Sequence, residues 1–339
     1  IQMAVYGYSP GQITLKLMNE IKNASETFLQ DVINGLTQNP KSLSSKYFYD
    51  AAGDKLFQKI MGLSEYYLTR KEFEIFENQH AAIFGKILRY SQDFNLVELG
   101  AGDGMKTKIL LRYLRSKPEI NFTYFPVDIS GSVLRELKDN LESELPEIDV
   151  HPIQNTYRNA MKERVWENGK PTLILFLGSN IGNFSLNESK DVLLHVAQGT
   201  QTHDWLLLGV DLKKDPSIIL QAYNDKQGVT RDFNLNLLTR INRELDANFD
   251  LEQFTHWPMY DPLTGECRSY LISQKEQLVT IGAANKLIRF EAFEPIFTEI
   301  SRKFSESEIS QLASDCGFKV VDFFTDSENY FTDVLWQRI

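Results

Sequence analysis

The chain has 339 residues, of which 42% are hydrophobic and 24% are charged, a composition typical of a folded globular protein and not of a disordered or collagen-like one. Its net charge of −10 disfavours binding to nucleic acid and to anionic lipid surfaces. Cys267 and Cys316 are far apart, so we expect no disulfide framework, no metal site and a reducing, cytoplasmic location. We expect neither membrane insertion nor secretion, because the apolar runs are short and the first residues lack a signal pattern.

The N-terminal part of the chain is predicted to be helical. Apolar residues recur at helical spacing over residues 13–36, and the pattern breaks at Asn39-Pro40. A short helix is predicted after Asp50. Thr69 followed by Glu72 has the spacing of a capping box, which predicts that a helix starts there and runs toward Leu88.

From Phe94 onward, strand and helix patterns alternate, which is typical of a parallel sheet covered by helices. Ser130 is predicted to open a helix through Leu145, and Ser185 with Glu188 forms a capping box for a later helix. The predicted strands are 94–99, 122–128, 149–154, 173–177 and 205–210. This order predicts a doubly wound α/β unit.

After Asp211 the alternation stops, and the pattern indicates an excursion over residues 217–300 before the chain returns to the first sheet. Asp261 begins a predicted hairpin turn that contains Gly265, and a further strand pair runs through Phe290. The other predicted elements are helices at 217–225 and 230–245, a last helix capped by Ser305 with Glu308 and ending at Gly317, and strands at 318–324 and 330–337. We expect the excursion and the N-terminal helices to form a second domain.

A glycine-rich turn follows the first parallel strand, at the strand end where such sheets bind ligands. Its glycines, Gly100 and Gly102, have the spacing GxGxG, and Glu98 precedes them, which favours a cationic or nucleoside ligand over a pyrophosphate. Asp128 ends the next strand and can accept hydrogen bonds from two ribose hydroxyls. Adenosine with a sulfonium side chain satisfies both features.

A longer series of motifs resembles the histidine-specific, S-adenosylmethionine-dependent methyltransferases of ergothioneine biosynthesis. The motifs, in chain order, include PKSLSSKYFYDAAGDKLF, SEYYLTRKE, LVELGAGDGMKT, PVDIS, LGSNIGNF, LLLGVDLKKD, AYND, GVTRDFN, NRELDANFDL and FTEISRKF. The resemblance implies an α/β fold with a class I methyltransferase domain, Rossmann-like, over 74–213 and 302–339. It also implies a mixed α+β substrate-binding domain over 1–73 and 214–301.

The same resemblance implies that the cofactor is S-adenosylmethionine, released as S-adenosylhomocysteine. The family commonly has an acidic residue near the adenine, where this chain has Thr156 followed by Tyr157. The residues expected to bind the cofactor are Glu98, Gly100, Gly102, Lys106, Asp128, Thr156 and Tyr157.

The implied reaction is N-methylation of the α-amino group of L-histidine, up to trimethylhistidine (hercynine), with no macromolecular partner. By the resemblance, Asn183 and Tyr223 grip the α-amino and carboxylate groups and form the catalytic pair. The resemblance also implies that Glu299 and Ser301 recognise the imidazole ring. This is compatible with their spacing, because residues two positions apart on an extended segment project to one side. By the resemblance, Tyr49 and Phe57 match the aromatic wall of the substrate pocket, with Tyr66 beside them. The oligomeric state is left open and is compatible with a monomer.

Other readings of the same residues remain open. Ser269 stands where the family commonly has a methionine in the imidazole pocket, which favours the same chemistry on another aromatic amino acid or a histidine derivative. The glycine turn with its strand-end acid also fits a nicotinamide dehydrogenase. A non-catalytic module that binds S-adenosylmethionine is a third alternative.

Overall fold

The computed structural model describes residues 25–339, which form two compact units. The first unit contains residues up to Lys59 together with Lys226–Pro258 and Arg268–Glu299, and the second contains Ile60–Asp225, Met259–Cys267 and Ile300–Ile339. These bounds differ from the division at residues 73, 213 and 301 that the resemblance implies. Residues 13–24 of the first predicted helix lie outside the described residues.

The elements are numbered in chain order. The helices are α1 (25–37), α2 (Ala51–Met61), α3 (Tyr67–Ile87), α4 (Thr107–Arg115), α5 (Gly131–Glu144), α6 (Tyr157–Glu163), α7 (Leu186–Gln198), α8 (Pro216–Tyr223), α9 (Val229–Leu245) and α10 (Glu306–Asp315). The strands are β1 (Lys41–Ser42), β2 (Asp93–Leu99), β3 (Asn121–Asp128), β4 (Asp149–Val150), β5 (Ile153–Gln154), β6 (Thr172–Phe176), β7 (Trp205–Asp211), β8 (Phe254–Asp261), β9 (Glu266–Ser273), β10 (Gln277–Ile281), β11 (Lys286–Phe290), β12 (Pro295–Arg302), β13 (Phe318–Thr325) and β14 (Phe331–Arg338).

The second unit is built on one sheet with the order β13-β14-β7-β6-β2-β3-β4, and β5 also pairs with β3. Strands β2 to β7 pair in parallel, whereas β14 pairs antiparallel with both β7 and β13. The predicted doubly wound unit and the return of the last two strands to its sheet are therefore confirmed.

Helices cover both faces of this sheet. Successive residues of a strand point to opposite faces, so each strand contributes side chains to both helical layers. Leu96 belongs to the core cluster formed with α3 and α4, whereas Val97 and Leu99 belong to the cluster formed with α6, α7 and α10. Both faces are therefore buried, as expected for strands in a parallel sheet. The carboxyl ends of these strands form the edge at which the glycine turn lies.

Most helix limits agree with the sequence, including the capping boxes of Ser185 and Ser305. The capping box predicted at Thr69 is wrong, since α3 begins two residues earlier, at Tyr67. Its Glu72 side chain is instead bonded to Lys106 and to the backbone of Gly178. The single strand predicted over 149–154 is two short strands, separated at His151-Pro152.

The first unit contains α1, α9 and most of a sheet with the order β1-β12-β9-β8. The predicted hairpin turn is present, with the Gly265 amide donating to the Asp261 carbonyl at 2.8 Å. The further strand pair is the antiparallel hairpin of β10 and β11. Phe249, Phe254 and Phe290 pack together in this unit, with ring centroids 5.5–6.0 Å apart.

Searching residues 25–339 for a helix long and apolar enough to cross a membrane finds none.

Candidate active site

The glycine turn begins at Gly100, directly after β2. Gly100 has a φ of +77°, and a Cβ atom there would lie 2.7 Å from both Asn180 Nδ2 and Tyr157 Oη. The Gly100 amide donates to the Val127 carbonyl at 2.8 Å, which ties the turn to β3. A side chain is therefore excluded at Gly100, and three chain segments converge around it.

The turn continues past Gly102, where the backbone borders open space. The Gly102 amide donates to Asp128 Oδ2 at 3.1 Å, and the Ser130 amide donates to Asp128 Oδ1 at 2.9 Å. Apart from its chain neighbours, no atom of residues 25–339 would lie within 4 Å of a Cβ atom at Gly102. Each carboxylate oxygen of Asp128 keeps a lone pair for a further donor. This edge can therefore hold a diol against Asp128 and a ligand against the bare backbone of Gly102.

Glu98 is buried at the end of β2 and has partners inside the protein. Its carboxylate accepts hydrogen bonds from Thr107 Oγ1 at 2.6 Å and from the Tyr124 hydroxyl. Burial raises the pKa of Glu98 to about 7, against the lowering effect of these two bonds. Glu98 thus joins β2, α4 and β3 beneath the turn, and its direct contact with a cofactor stays a prediction.

Lys106 lies at the start of α4, and its ammonium is paired with the buried carboxylate of Glu72. The other oxygen of Glu72 accepts from the Gly178 amide at 2.7 Å, so Glu72 connects the segments that follow β2 and β6. Burial, together with the charge of Glu72, raises the pKa of buried Asp333 well above its ordinary value. Lys106 is therefore the cation beside two buried acidic side chains, Glu72 and Asp333, and the sequence does not reveal this group.

Thr156 and Tyr157 have different roles in the fold. The Thr156 hydroxyl accepts from the Asn159 amide at 3.3 Å and caps α6 from an exposed position. The Tyr157 ring packs edge-on against Phe176 at 5.0 Å, and its hydroxyl approaches Gly100. Burial raises the pKa of Tyr157. Of these two predicted cofactor residues, Tyr157 is the one whose side chain reaches the glycine turn.

A second polar group of the same unit, here called the lysine cluster, surrounds the buried cation of Lys303. The cluster consists of Tyr67, Asp211, Lys214, Tyr223, Ser301 and Lys303. Lys303 Nζ lies 2.8 Å from Asp211 Oδ2 and donates to the Tyr223 hydroxyl at 2.7 Å and to Ser301 Oγ at 2.9 Å. The Tyr223 hydroxyl donates to Ser301 Oγ at 2.6 Å. Tyr223 and Ser301, both predicted from the resemblance, therefore share one hydrogen-bond network.

Asp211 holds the network together by charge. Its carboxylate lies 2.5 Å from Lys214 Nζ and accepts from the Tyr67 hydroxyl at 2.8 Å. Burial alone would raise the pKa of Asp211, but the charges of Lys303 and Lys214 outweigh it and hold the pKa below its ordinary value. Asp211 therefore stays ionised, which keeps a buried counter-charge beside Lys303.

The remaining predicted residues of the second unit lie around this network. Asn183 is exposed at the end of the turn Asn180–Asn183, and the preceding Gly182 approaches the backbone of Arg302, next to Ser301. A Cβ atom at Gly182 would lie 2.7 Å from the Arg302 carbonyl oxygen. Tyr66 packs edge-on against Tyr223 with ring centroids 6.3 Å apart.

Tyr49, Phe57 and Glu299 belong to the first unit. Tyr49 and Phe57 contact each other edge-on at 5.7 Å, and both rings pack against Phe233 at 5.8 and 5.9 Å. Glu299 is half-buried on β12, a strand with neighbours on both sides in its sheet. Glu299 is therefore not a fully exposed surface charge.

Ser269 of the first unit is buried beside a histidine. Its Oγ lies 3.3 Å from His256 Nε2, and its carbonyl accepts from the buried Thr298 hydroxyl at 3.0 Å. The position that commonly holds a methionine in the family is thus polar in this chain.

Sequence reasoning missed the residues that hold the predicted ones in place. Asn180, Asp211 and Lys303 lie inside the motifs GSNIGN, LLLGVDLKKD and FTEISRKF, yet no role was predicted for them. A signal existed for Lys303, because residues 299, 301 and 303 alternate along the predicted extended segment and so share one side.

The chain is similar to known proteins over most of its length. A family model described as histidine-specific methyltransferase, SAM-dependent, matches residues 28–338. The chain is 35% identical to a histidine N-alpha-methyltransferase of Mycolicibacterium smegmatis over 94% of this chain and 98% of that protein. It is 34% identical to one of Mycobacterium tuberculosis, over 89% and 92% of the two chains. It is 27% identical to ergothioneine biosynthesis protein 1 of Schizosaccharomyces pombe, over 95% of this chain and 42% of that protein.

Proposed function

Because the chain belongs to the family of histidine-specific, S-adenosylmethionine-dependent methyltransferases, we propose that it methylates the α-amino group of L-histidine. The product is trimethylhistidine, which serves ergothioneine biosynthesis. The observation that carries this function is a family match that extends over residues 28–338, together with relatives of that activity covered almost end to end.

The glycine turn fits the cofactor of this family. Gly102 leaves open space where a side chain would stand, and the Asp128 carboxylate beside it is suited to a ribose diol. We assign Gly100, Gly102, Asp128 and Tyr157 to cofactor binding, with Lys106 and Thr156 at its margins and Glu98 beneath it. When bound, S-adenosylmethionine supplies a methyl group on a sulfonium centre that a neutral amine can displace.

Asn183 and Tyr223 position the substrate amine in this proposal. An α-amino group is largely protonated near neutral pH, so the site must accept its free-base form and aim the lone pair. The fully buried cation of Lys303, 2.7 Å from the Tyr223 hydroxyl, disfavours a second positive charge beside it. Tyr223 therefore sits in surroundings that favour the neutral amine.

The ring of the substrate is assigned to Glu299 and Ser301, which lie two positions apart on β12. A carboxylate accepts from a ring N–H, and a hydroxyl can serve the other ring nitrogen. Tyr49, Phe57 and Tyr66 supply aromatic surface. A site that hydrogen-bonds both ring nitrogens discriminates strongly against rings that lack them.

Ser269 supports a second candidate substrate within the same chemistry. The polar pair of Ser269 and His256 stands where an apolar methionine is common, so a histidine derivative with a polar ring substituent is the alternative. Competition between L-histidine and such derivatives for the purified enzyme separates the two candidates.

The function is tested by incubating the purified protein with L-histidine and S-adenosylmethionine and weighing the products by mass spectrometry. We expect successive one-, two- and three-methyl products together with S-adenosylhomocysteine. Cofactor binding without any methylated product would identify a binding module, and oxidation of NADH would identify a dehydrogenase.

Asn183→Ala provides the matching test of the site. We expect kcat to fall by about 100-fold, because the amine loses its alignment with the methyl group. Asn187→Ala, at an exposed position on the neighbouring α7, is the control and should keep full activity. Equal activity of the two variants would remove Asn183 from the catalytic pair.

We further propose that the enzyme acts in the cytoplasm. Both cysteines are free and buried, which suits a reducing compartment. Fractionation of the source cells with detection of the protein tests the location.

A further inference from the structure

The hydrogen bonds of the lysine cluster leave the Ser301 hydroxyl one remaining function, that of a hydrogen-bond donor. A serine hydroxyl has one proton to donate and two lone pairs that accept. Ser301 Oγ already receives one bond from Lys303 Nζ at 2.9 Å and one from the Tyr223 hydroxyl at 2.6 Å. Both acceptor positions are therefore filled. Within residues 25–339, the Ser301 hydroxyl donates to no protein acceptor, so its proton remains available to a ligand.

The direction of these bonds is fixed by Lys303. An ammonium group has only donors, and the three of Lys303 point to Asp211, Tyr223 and Ser301. Since the Tyr223 oxygen already accepts from Lys303, the more acidic phenol donates its own proton to Ser301. Asp211 is the counter-ion of this cation, and both charges are fully buried.

We propose that Lys303, held by Asp211, is a positioning residue that makes Ser301 an obligatory hydrogen-bond donor, so that the ring site selects a substrate ring with an unprotonated acceptor atom. This inference rests on the proposed function, in which Ser301 addresses the substrate ring. For histidine, the selected form is the neutral imidazole, with its N–H toward Glu299 and its bare nitrogen toward Ser301. An imidazolium presents a second N–H to Ser301, which has no lone pair left to receive it.

Other titratable and charged groups surround Lys303 from each neighbouring element. They are Tyr67 of α3, Asp211 of β7, Lys214 after β7, Tyr223 of α8 and Tyr260 of β8. Lys214 is the matched comparison, because it contacts Asp211 and Tyr67 but neither Tyr223 nor Ser301. Replacing Lys214 removes a cation from the same carboxylate while leaving both acceptor bonds of Ser301 intact.

The experiment measures the dissociation constant of trimethylhistidine, the proposed product, by calorimetry at about pH 8 and about pH 5.5, with S-adenosylhomocysteine present. The quaternary nitrogen of this ligand does not titrate, so its imidazole ring is the group that changes charge between these two pH values. A free imidazole with a pKa near 6.5 is about one-tenth neutral at the lower pH, so the wild-type protein should bind about tenfold more weakly there. Lys303→Met should weaken binding at the higher pH and reduce this ratio to about threefold or less, since Ser301 can then accept from an imidazolium. Lys214→Met should keep the tenfold ratio.

A ratio near tenfold in Lys303→Met, with weaker binding at both pH values, would show that Lys303 is only structural and would overturn the proposal. A wild-type ratio near one would also overturn it. Cofactor binding without binding of either L-histidine or trimethylhistidine would instead refute the proposed function itself. If Lys303→Met fails to fold, nitrogen NMR of labelled histidine on the wild-type protein decides the question, since a bound imidazolium near neutral pH contradicts the proposal and a neutral ring supports it.

Discussion

The glycine turn and the lysine cluster lie in the same unit and are held in place in different ways. The turn is held through its own backbone amides: Gly100 donates to the carbonyl of Val127, and Gly102 donates to the side chain of Asp128. The lysine cluster is set by side chains that are far apart in sequence, with Tyr67, Asp211 and Lys303 meeting in the protein interior. The proposed cofactor site therefore depends on the backbone amides of one short motif, whereas the polarity of the proposed substrate site depends on pairing between residues far apart in the sequence.

This difference has an energetic consequence. Backbone bonds of a turn survive most side-chain changes, but a buried charge that loses its partner is strongly unfavourable. We therefore expect the lysine cluster to be more sensitive to a single conservative substitution than the glycine turn.

The largest expected effect follows from Asp211→Asn, which keeps the shape of the side chain and removes its charge. Lys303 and Lys214 then lose their common counter-ion in a buried place, so the free energy of unfolding should fall by about 3–5 kcal/mol. Denaturant unfolding at neutral pH measures it. Asp315→Asn is the control, because its ion pair with Lys190 is exposed and should contribute little. A loss no greater than that of the control would mean that charge does not hold the cluster.

A smaller effect is expected beneath the glycine turn, at Glu98. Its pKa is raised from 4.5 to about 7 by burial, so the folded protein binds more protons than the unfolded chain between these values. The contribution of Glu98 to the free energy of unfolding is therefore greatest below about pH 4.5, and it decreases as the pH rises to about 7. The shift corresponds to roughly 3 kcal/mol.

Glu98→Gln should remove this pH dependence, because the amide stays neutral. Unfolding free energies of the wild type and the variant, compared at about pH 5 and about pH 7.5, give the difference. The exposed Glu119→Gln variant should follow the wild type at both values. A constant gap between Glu98→Gln and the wild type across this range would contradict a raised pKa.

The same contrast explains how much the sequence could predict. Strands β2, β3, β6 and β7 were predicted to within a residue or two, because buried parallel strands are continuous apolar runs bounded by turn residues. The positions of Gly100 and Asp128 followed from local motifs at strand ends. Their assignment to the cofactor, like that of Asn183, Glu299 and Ser301 to histidine, remains a prediction.

Polar side chains with distant partners were harder to interpret. Glu72 has the local spacing of a helix cap, yet its carboxylate pairs with Lys106, 34 positions away, and caps nothing. Lys303 is a residue type that usually lies on the surface, yet its side chain is fully buried. Alternation along the segment shows that Lys303 shares a side with Ser301, but local sequence does not show that Glu72 or Lys303 is buried, because the partner that makes burial tolerable is supplied by the tertiary fold.

The smallest expected effect on stability, and the sharpest test of the glycine turn, comes from Gly102→Ala. Gly102 has a φ of +55°, so alanine should cost about 1–2 kcal/mol of stability from backbone strain alone. Apart from the chain neighbours, no atom in the described part of the chain lies within 4 Å of the new methyl group, so we expect any loss of cofactor affinity to come from contact with the bound ligand. Gly169→Ala is the matched control, since Gly169 has a φ of +82° and equally open surroundings but lies away from the turn.

We expect both variants to lose similar stability, while Gly102→Ala alone binds S-adenosylmethionine at least about tenfold more weakly, a difference of about 1.4 kcal/mol. Calorimetric titration of the cofactor into each folded variant measures this difference. Equal affinities in Gly102→Ala, Gly169→Ala and the wild type would mean that the cofactor does not lie against Gly102. The open space beside the turn would then need another occupant, and the contrast between a backbone-built cofactor site and a charge-built substrate site would no longer hold.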